Sequence, residues 1–295
     1  MNIQNHNNCI ICFKNKLIPL RNYEKHNLIK CRNCGLVFMK QIPTKDELDS
    51  YYSVYSYEKE QIVSELTFKR YNSLLNEFEK FRNTNNMLDI GCGQGYFLEV
   101  AKKRGWNVFG TEYSTNAVKI CENKGINMKT GMLNQNDFEP ESFDIVTSFE
   151  VLEHINNPRE EIKNIYSLLR VGGLFYCTTP NFNSLTRYFT KENYNIICYP
   201  EHLTYYTNKT LNKLTLNNGF YKYKFLSTGF NPSILFHNML IKNKNEQFIN
   251  FDEKIRHEIE ENKLLVIIKT IINYFLTLFN LGLTLKGYFI KKICQ

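Results

Sequence analysis

The sequence predicts an α/β fold: a mostly parallel sheet covered by helices on both faces, with a small metal-held module ahead of it. Three observations predict it. From Asn85 onward, short and nearly continuous apolar runs alternate with amphipathic stretches, the pattern of strands buried on both faces. Two Cys-x-x-Cys pairs precede that region. A glycine-rich turn, Gly91-Cys92-Gly93-Gln94-Gly95, closes the first apolar run.

The bulk properties bound the rest. A chain of 295 residues holds one large domain or a domain with an appendage, and 43% hydrophobic residues supply a core. The net charge of +8 is spread without a long block of one sign. Such a charge suits anionic small substrates or a membrane surface, but a Lys- and Asn-rich composition without functional meaning is the favoured reading. No basic-aromatic track speaks for nucleic acid. The start, MNIQNHNNC, has no basic-then-apolar leader pattern, so a cytoplasmic location is expected. Cysteines there are not expected to pair as disulfides. Cys92, Cys121, Cys177, Cys198 and Cys294 sit in apolar contexts as packing residues.

Residues 1–40 read as a zinc ribbon. Cys9 and Cys12 form one knuckle, Cys31 and Cys34 the other. Each Cys-x-x-Cys turn aims two thiolates at one ion, and two turns complete a tetrahedral four-cysteine site with no open position. Its role is therefore structural, since about thirty residues cannot bury an adequate core without a metal. Residues 41–84 read as a helical, Tyr-rich linker or lid, carrying YYSVYSYEKE at 51–60.

Residues 85–295 supply the main domain. MLDIG (87–91) is the first strand, and GYFLEVAKKRG a helix stopped at Gly105. WNVFGTE (106–112) is the second strand. Ser114 then caps a helix that ends at Gly125. INMKT and SFDIVTSF (142–149) are the third and fourth strands. Pro158 suits the first turn of the next helix. GGLFYCTTPN (172–181) and YKYKFLST (221–228) are the fifth and sixth, with a helix ending at Gly219 between them. Ligands in such sheets bind at the carboxyl ends of the strands, so motifs there carry the most weight.

The glycine turn lies at such an end. Glycine lets a backbone turn sharply and approach a ligand. Its spacing, GxGxG, differs from the GxGxxG of dinucleotide folds. Glu112 ends the second strand about twenty residues on, where a carboxylate can accept both hydroxyls of a ribose. Taken in order, LDIGCGQGYF, GTEYS, SFDIVTSFEVLEHI and LLRVGGLFYCTTPN resemble the class I S-adenosylmethionine-dependent methyltransferases over roughly residues 85–230. The cysteine pairs, the following GLVF and the Tyr-rich segment are similar to a bacterial subgroup with a zinc ribbon, often serving sugar, lipid or cell-envelope biosynthesis. The resemblance implies a Rossmann-like seven-stranded sheet. It implies that Asp89, Gly91, Gly93 and Gly95 line the methionine and ribose side of the cofactor, that Glu112 binds the ribose, and that Tyr113 lies beside the adenine. Where many relatives have Gly-Asp after the third strand, this chain has Gly131-Met132. Adenine recognition then falls to Met132, Leu133 and backbone groups.

SFEVLEH (148–154) follows the fourth strand, where the methyl group belongs. Glu150 reads as a cofactor-side residue. If residues 150–154 form a helical turn, Glu150, Glu153 and His154 share a face and with His202 of YPEHLTYYT (199–207) can hold a divalent cation. Glu-x-x-Glu-His with a later His resembles metal-assisted O-methyltransferases of ubiquinone biosynthesis and small-RNA 2′-O-methylation. Two other readings stay open: His154 or His202 as a metal-free base, or Glu153 and His154 as loop braces. YPEHLTYYT also resembles the enolising segment of zinc-ribbon sugar C-methyltransferases, whose long additional C-terminal domain this chain is too short to hold.

Leu264 to Leu285 carries one charge, Lys269, with Asn273, Thr277 and Asn280 completing a polar stripe. It reads as an amphipathic helix, within a helical insert at about 232–281 that precedes the last strand. It is expected to pack on the domain or a homodimer partner, or to touch a membrane peripherally. GLTLKGYFIKK then supplies the antiparallel strand with which the family's sheet ends. The expected activity is O-methylation of a nucleotide-sugar, glycan or lipid-linked small acceptor. Sugar C-methylation, and a non-catalytic cofactor-fold protein with a ribbon-mediated partner, are the alternatives.

Overall fold

The computed structural model describes residues 4–53, 63–230, 258–259 and 261–292. Most of the Tyr-rich segment and most of the expected 232–281 insert lie outside the described residues.

The ribbon forms first. Strands β1 (Gln4–Asn5) and β5 (Gln41–Ile42) pair, while β2 (Leu17–Pro19), β3 (Leu28–Cys31) and β4 (Val37–Met39) form an antiparallel sheet. The fourth strand of that sheet, β11 (Thr204–Tyr205), comes from far along the chain, with Thr204 opposite Phe38 and Tyr205 opposite Val37. The sequence places the ribbon within residues 1–40; its sheet is completed by a segment that begins just past His202.

Helices α1 (Lys45–Ser53) and α2 (Glu65–Phe78) follow, α2 capped by the Ser64 hydroxyl. The main sheet then runs in the order β12-β13-β10-β9-β6-β7-β8. Its parallel strands are β6 (Asn86–Ile90), β7 (Asn107–Glu112), β8 (Asn127–Thr130), β9 (Phe143–Phe149) and β10 (Leu169–Pro180). Strand β13 (Thr284–Lys291) runs antiparallel between β10 and β12 (Phe220–Thr228). This is the seven-stranded sheet expected, with its last strand inserted antiparallel. Strand β10 starts earlier than expected, at Leu169, with a register shift before Leu174.

The covering helices form where capping and apolar spacing agree. The helix α3 (Tyr96–Lys103) buries Phe97, Leu98, Val100 and Ala101. The Ser114 hydroxyl accepts the Ala117 amide at the start of α4 (Thr115–Asn123). Pro158 opens α5 (Pro158–Leu168), a short α6 (Leu185–Thr190) follows, and Thr207 and Thr210 form a reciprocal cap on α7 (Asn208–Leu216). The chain passes from β6 to β7 and β8 on one side and to β9 and β10 on the other. The order of strands therefore switches between β6 and β9, and the expected site loops leave the sheet there.

The last helix packs on the domain through its polar side. Helix α8 (Lys263–Phe279) lies against β12 with its polar stripe inward. The Asn273 amide oxygen accepts the Gly229 N–H at 2.9 Å, and Thr277 exchanges hydrogen bonds with the backbone of Ser227. Only Leu276 of its apolar residues is buried among the described residues. The sheet offers α8 the backbone groups at the end of β12 instead of an apolar groove. No helix among the described residues is long and apolar enough to cross a membrane.

Candidate active site

Two loops at the carboxyl edge of the sheet carry the residues expected on the cofactor side. After β6, the chain turns through Gly91, Gly93 and Gly95, all at positive φ (64°, 53° and 72°). A side chain at Gly91 would meet a Val151 methyl at 2.6 Å, and one at Gly95 would meet Ile126 at 2.6 Å and Cys121 at 2.8 Å. Both geometry and space therefore demand glycine. Glu112, at the end of β7, reaches back across the turn. One carboxylate oxygen accepts the Gly93 N–H at 2.9 Å and the other the Ser114 N–H at 3.0 Å. The acidic group and the glycine turn, 19 positions apart, are thus one unit.

Asp89 sits beneath this turn, buried, accepting a 2.7 Å hydrogen bond from the Thr147 hydroxyl. Burial pushes its carboxyl up to about 7 against that hydrogen bond, with the Glu112 charge adding to the rise. Tyr113 and Met132 are exposed. Leu133 is buried and packs in the core with Ile90 and Val146.

The loop after β9 holds the other half. Glu150 has a left-handed backbone (φ 52°) and donates its N–H to Thr178. Residues Leu152–His154 form a single 3-10 turn. The helical turn over 150–154 that would put Glu150, Glu153 and His154 on one face is therefore absent, because Glu150 bends the chain before the turn begins. Residue Glu150 is exposed overall, yet crowding by protein pushes its carboxyl up; the Thr178 hydroxyl and the Lys286 charge oppose this.

Glu153, His154 and His202 do come together. One ligand atom from each lies within 4.8 Å of the others, and Glu150 does not belong to this group. The imidazoles of His154 and His202 meet edge-to-face with centroids 4.9 Å apart. The segment bearing His202 is stitched to the loop by backbone: the Leu203 N–H donates to Glu153 O at 2.8 Å, and the Tyr206 hydroxyl donates to Leu152 O. The His202 Nδ1 donates to Ile196 O at 2.7 Å, which fixes the tautomer and leaves Nε2 as the acceptor. Glu153 is 2% exposed, its Oε2 accepting from the Thr179 hydroxyl at 2.9 Å. Its Oε1 and the His154 Nδ1 are buried without a hydrogen-bond partner among the described residues.

The electrostatics follow from burial. Burial raises the Glu153 carboxyl well above the ordinary range, and the Glu150 charge raises it further. Burial lowers His154 to about 4, with His202 adding to the fall, and lowers His202 as well. Both imidazoles are therefore neutral near pH 7, the form that accepts a proton or binds a metal. Two orphaned buried polar atoms and a neutral imidazole beside them also fit a divalent cation, which would satisfy all three. The sequence gives no sign of Thr179, Thr147, Lys286 or the Ile196 carbonyl. They act through contacts distant in the chain, which local spacing does not reveal even where, as for Thr147 and Thr179, the residue lies within a motif.

The four ribbon cysteines converge as their spacing predicts, within 4.8 Å of one another. Cys9 and Cys34 sulfurs are 3.4 Å apart, and Cys12 and Cys31 3.6 Å. A tetrahedral site with metal–sulfur bonds of about 2.3 Å needs sulfurs about 3.8 Å apart, so the four fit a zinc ion. The hydrogen bond from Cys9 is the main reason that the Cys34 thiol is lowered to about 5, supplying thiolate character to the set.

Comparison with known proteins agrees with this geometry. The family pattern described as a methyltransferase domain matches residues 63–224. A ubiquinone biosynthesis O-methyltransferase from Coxiella burnetii is 33% identical over 104 residues, covering 33% of this chain and 44% of that protein. The corresponding protein from Idiomarina loihiensis is 31% identical over 104 residues, covering 33% and 43%. The chain thus spans less than half the length of these curated relatives. In fold, it is similar to the crystal structure of an S-adenosylmethionine-dependent methyltransferase from Archaeoglobus fulgidus. That similarity has a TM-score of 0.53 at 21% identity, covering 82% of this chain and all of the other.

Proposed function

The chain belongs to the methyltransferase-domain family, and from that premise we propose that it moves the methyl group of S-adenosylmethionine to a hydroxyl of a small sugar- or lipid-linked acceptor in cell-envelope or polysaccharide biosynthesis. The observation that carries this reading is the placement of a neutral His154–His202 pair and Glu153 at the same sheet edge as the glycine turn and Glu112. The curated relatives named above are O-methyltransferases, which supports an oxygen acceptor.

The cofactor arrives activated, so the protein mainly positions and deprotonates. Glu112 accepts the ribose hydroxyls, giving up its contacts to Gly93 and Ser114. The glycine turn lets the backbone meet the amino-acid part of the cofactor. His202 Nε2, held by its Nδ1–H bond to Ile196 O, accepts the acceptor's hydroxyl proton as the oxygen attacks the methyl carbon and the sulfur leaves with the bonding pair. If a divalent cation is used, Glu153, His154 and His202 would hold it, and it would lower the pKa of the acceptor hydroxyl. Cys9, Cys12, Cys31 and Cys34 would hold a zinc ion, which would tie the ribbon together. A cytoplasmic location fits this chemistry.

The test is release of S-adenosylhomocysteine with nucleotide-sugar, glycan and lipid-linked acceptors, on chelator-treated enzyme with and without added magnesium, manganese or zinc. Turnover with an oxygen acceptor is expected. Restoration by metal assigns the Glu153 group to a cation, and full activity without metal assigns it to base catalysis. No turnover with any oxygen acceptor sinks the proposal.

A further inference from the structure

We propose that Lys286 binds an anionic oxygen group of the acceptor, a phosphate or a carboxylate, at the carboxyl edge of the sheet. The inference rests on the acceptor reading above and narrows it: the small acceptor carries a negative charge.

The register of the sheet places this lysine. Lys286 of β13 stands directly opposite Thr178 of β10, and Cβ atoms of such a pair lie about 5 Å apart. The carbonyl and hydroxyl oxygens of Thr178 both accept the Glu150 N–H. Lys286 therefore stands beside the loop that follows β9. Alternate residues of a strand point to one face, so Lys286 shares its face with Tyr288. That ring packs on Tyr176 with centroids 4.7 Å apart, and Phe149 packs on the same Tyr176 at 5.5 Å. Met87 and Ile145 belong to this face as well, and by the same alternation so do Asp89 and Thr147. Leu285 and Phe289 belong to the opposite face.

The strand order sets Lys286 apart from the glycine turn. From β6, which leads into that turn, three spacings lead through β9 and β10 to β13. At about 4.8 Å each they amount to about 14 Å. Lys286 thus lies across the β9 loop from the residues expected to hold the cofactor, on the side left to the acceptor.

The charges there are unbalanced. Lys286 is half-buried, and its ammonium makes no hydrogen bond or ion pair among the described residues. Two other lysines at the β12–β13 edge are paired, Lys224 with Glu77 at 2.7 Å and Lys291 with Glu141 at 2.9 Å. Burial is the main reason that the Lys286 ammonium is held below its usual range. Arg70 of α2 and Lys269 of α8 push it the same way, while Glu150 and Glu77 oppose. Neither carboxylate cancels the three cations. Glu77 is already bonded to Lys224, and burial shifts Glu150 toward its neutral form. A partly buried ammonium without a partner is costly, and a bound oxyanion removes that cost. Lysine suits the task because it acts as a point charge, taking a phosphate or a carboxylate alike.

The test is calorimetry on the full chain saturated with S-adenosylhomocysteine. The probes are UDP-glucose, geranyl diphosphate and glucuronate, with glucose as the neutral control. Wild type is expected to bind at least one charged probe, and which one it binds tells a nucleotide-borne phosphate from a lipid-borne one or a carboxylate. Lys286→Met keeps most of the aliphatic stem and is expected to weaken that probe about tenfold or more, by loss of a charged hydrogen bond. Lys286→Arg is expected to stay within about threefold, a rescue that a merely structural role would not give. Affinity for S-adenosylhomocysteine is expected to be unchanged in both. Should melting show that the Met variant does not fold, Lys286→Gln against Lys286→Arg reads the same comparison. Equal binding by wild type and the neutral variant overturns the inference, as does a wild type that binds no charged probe. A neutral variant that loses S-adenosylhomocysteine along with the probe also overturns it, by making Lys286 a cofactor residue. Binding is read without methyl transfer, so a failure of oxygen methylation and a failure of recognition by Lys286 show separately.

Discussion

The chain gathers two clusters of metal-binding side chains, and they differ in how they are made. Cys9, Cys12, Cys31 and Cys34 come from two tight turns, with 19 positions from Cys12 to Cys31, each turn aiming its own two sulfurs. Glu153, His154 and His202 come from loops about fifty positions apart, joined by a backbone bond from Leu203 to Glu153. The first is closed: four thiolates leave no position for a substrate. The second keeps two buried polar atoms without partners among the described residues. A closed set stabilises a fold, whereas an open one is available for chemistry. The two are also linked, since β11 completes the ribbon sheet immediately after the His202 segment. The ribbon sheet therefore reaches to within two residues of the histidine.

That link gives the largest expected effect. Cys34→Ser should abolish zinc binding, measured by metal content, and lower the chain's stability by at least about 5 kcal/mol in thermal melting. If the ribbon positions His202, the variant also loses turnover at temperatures where the main sheet remains folded. Full turnover in a zinc-free variant breaks the link between the clusters.

His202→Ala tests the open cluster alone. Turnover should fall about a hundredfold or more, while binding of S-adenosylhomocysteine, followed by calorimetry, stays within about threefold. Unchanged turnover removes any catalytic role for this residue. Glu112→Ala should do the reverse, weakening cofactor binding by roughly 10- to 100-fold through loss of charged hydrogen bonds to the ribose.

Thr179→Val removes the hydrogen bond to Glu153 Oε2 and should destabilise the fold by about 1–3 kcal/mol, without altering the zinc content. An unchanged melting temperature would show that Glu153 finds another partner.

An effect of similar size is a pH dependence at Asp89. Its carboxyl is raised in the folded chain, to about 7 from 3.8. The neutral form is thus favoured by folding, and stability from this group is present at low pH and lost as pH rises through about 7. Asp89→Asn should therefore raise the melting temperature of the cofactor-free protein more at pH 8 than at pH 5, by the equivalent of about 1–3 kcal/mol. His154 has the opposite sign: its pKa is lowered from 6.5 to about 4, so its contribution is present above 6.5 and lost as pH falls toward 4. The two are separable by melting His154→Gln and Asp89→Asn over the same range.

Much of this was legible in the chain. The succession of elements from β6 to β10 follows from apolar runs and glycine stops, because parallel strands buried on both faces have no polar alternation to confuse with a surface. Gly91, Gly93 and Gly95 are recognisable because their left-handed backbones have no other low-strain occupant. Glu150 shows where local spacing misleads. Counted along a helix it belongs with Glu153 and His154, yet its own positive φ ends the strand in a bend, and it stands apart. The helix α8 shows another limit. Its two faces are plain in the sequence, but spacing gives no sign of which one meets the protein.

The sequence by itself determined the elements, the glycine turn and the cysteine set, since these depend on backbone preference and on residues that are close along the chain. Tertiary structure alone decided that His202 faces His154 and Glu153, that Thr147 and Thr179 hold the buried carboxyls, that β11 joins the ribbon to the site, and that α8 turns its polar side inward. Each of these is a contact between segments far apart in sequence, and its energy comes from burial and hydrogen bonding that exist only once the sheet has brought the segments together.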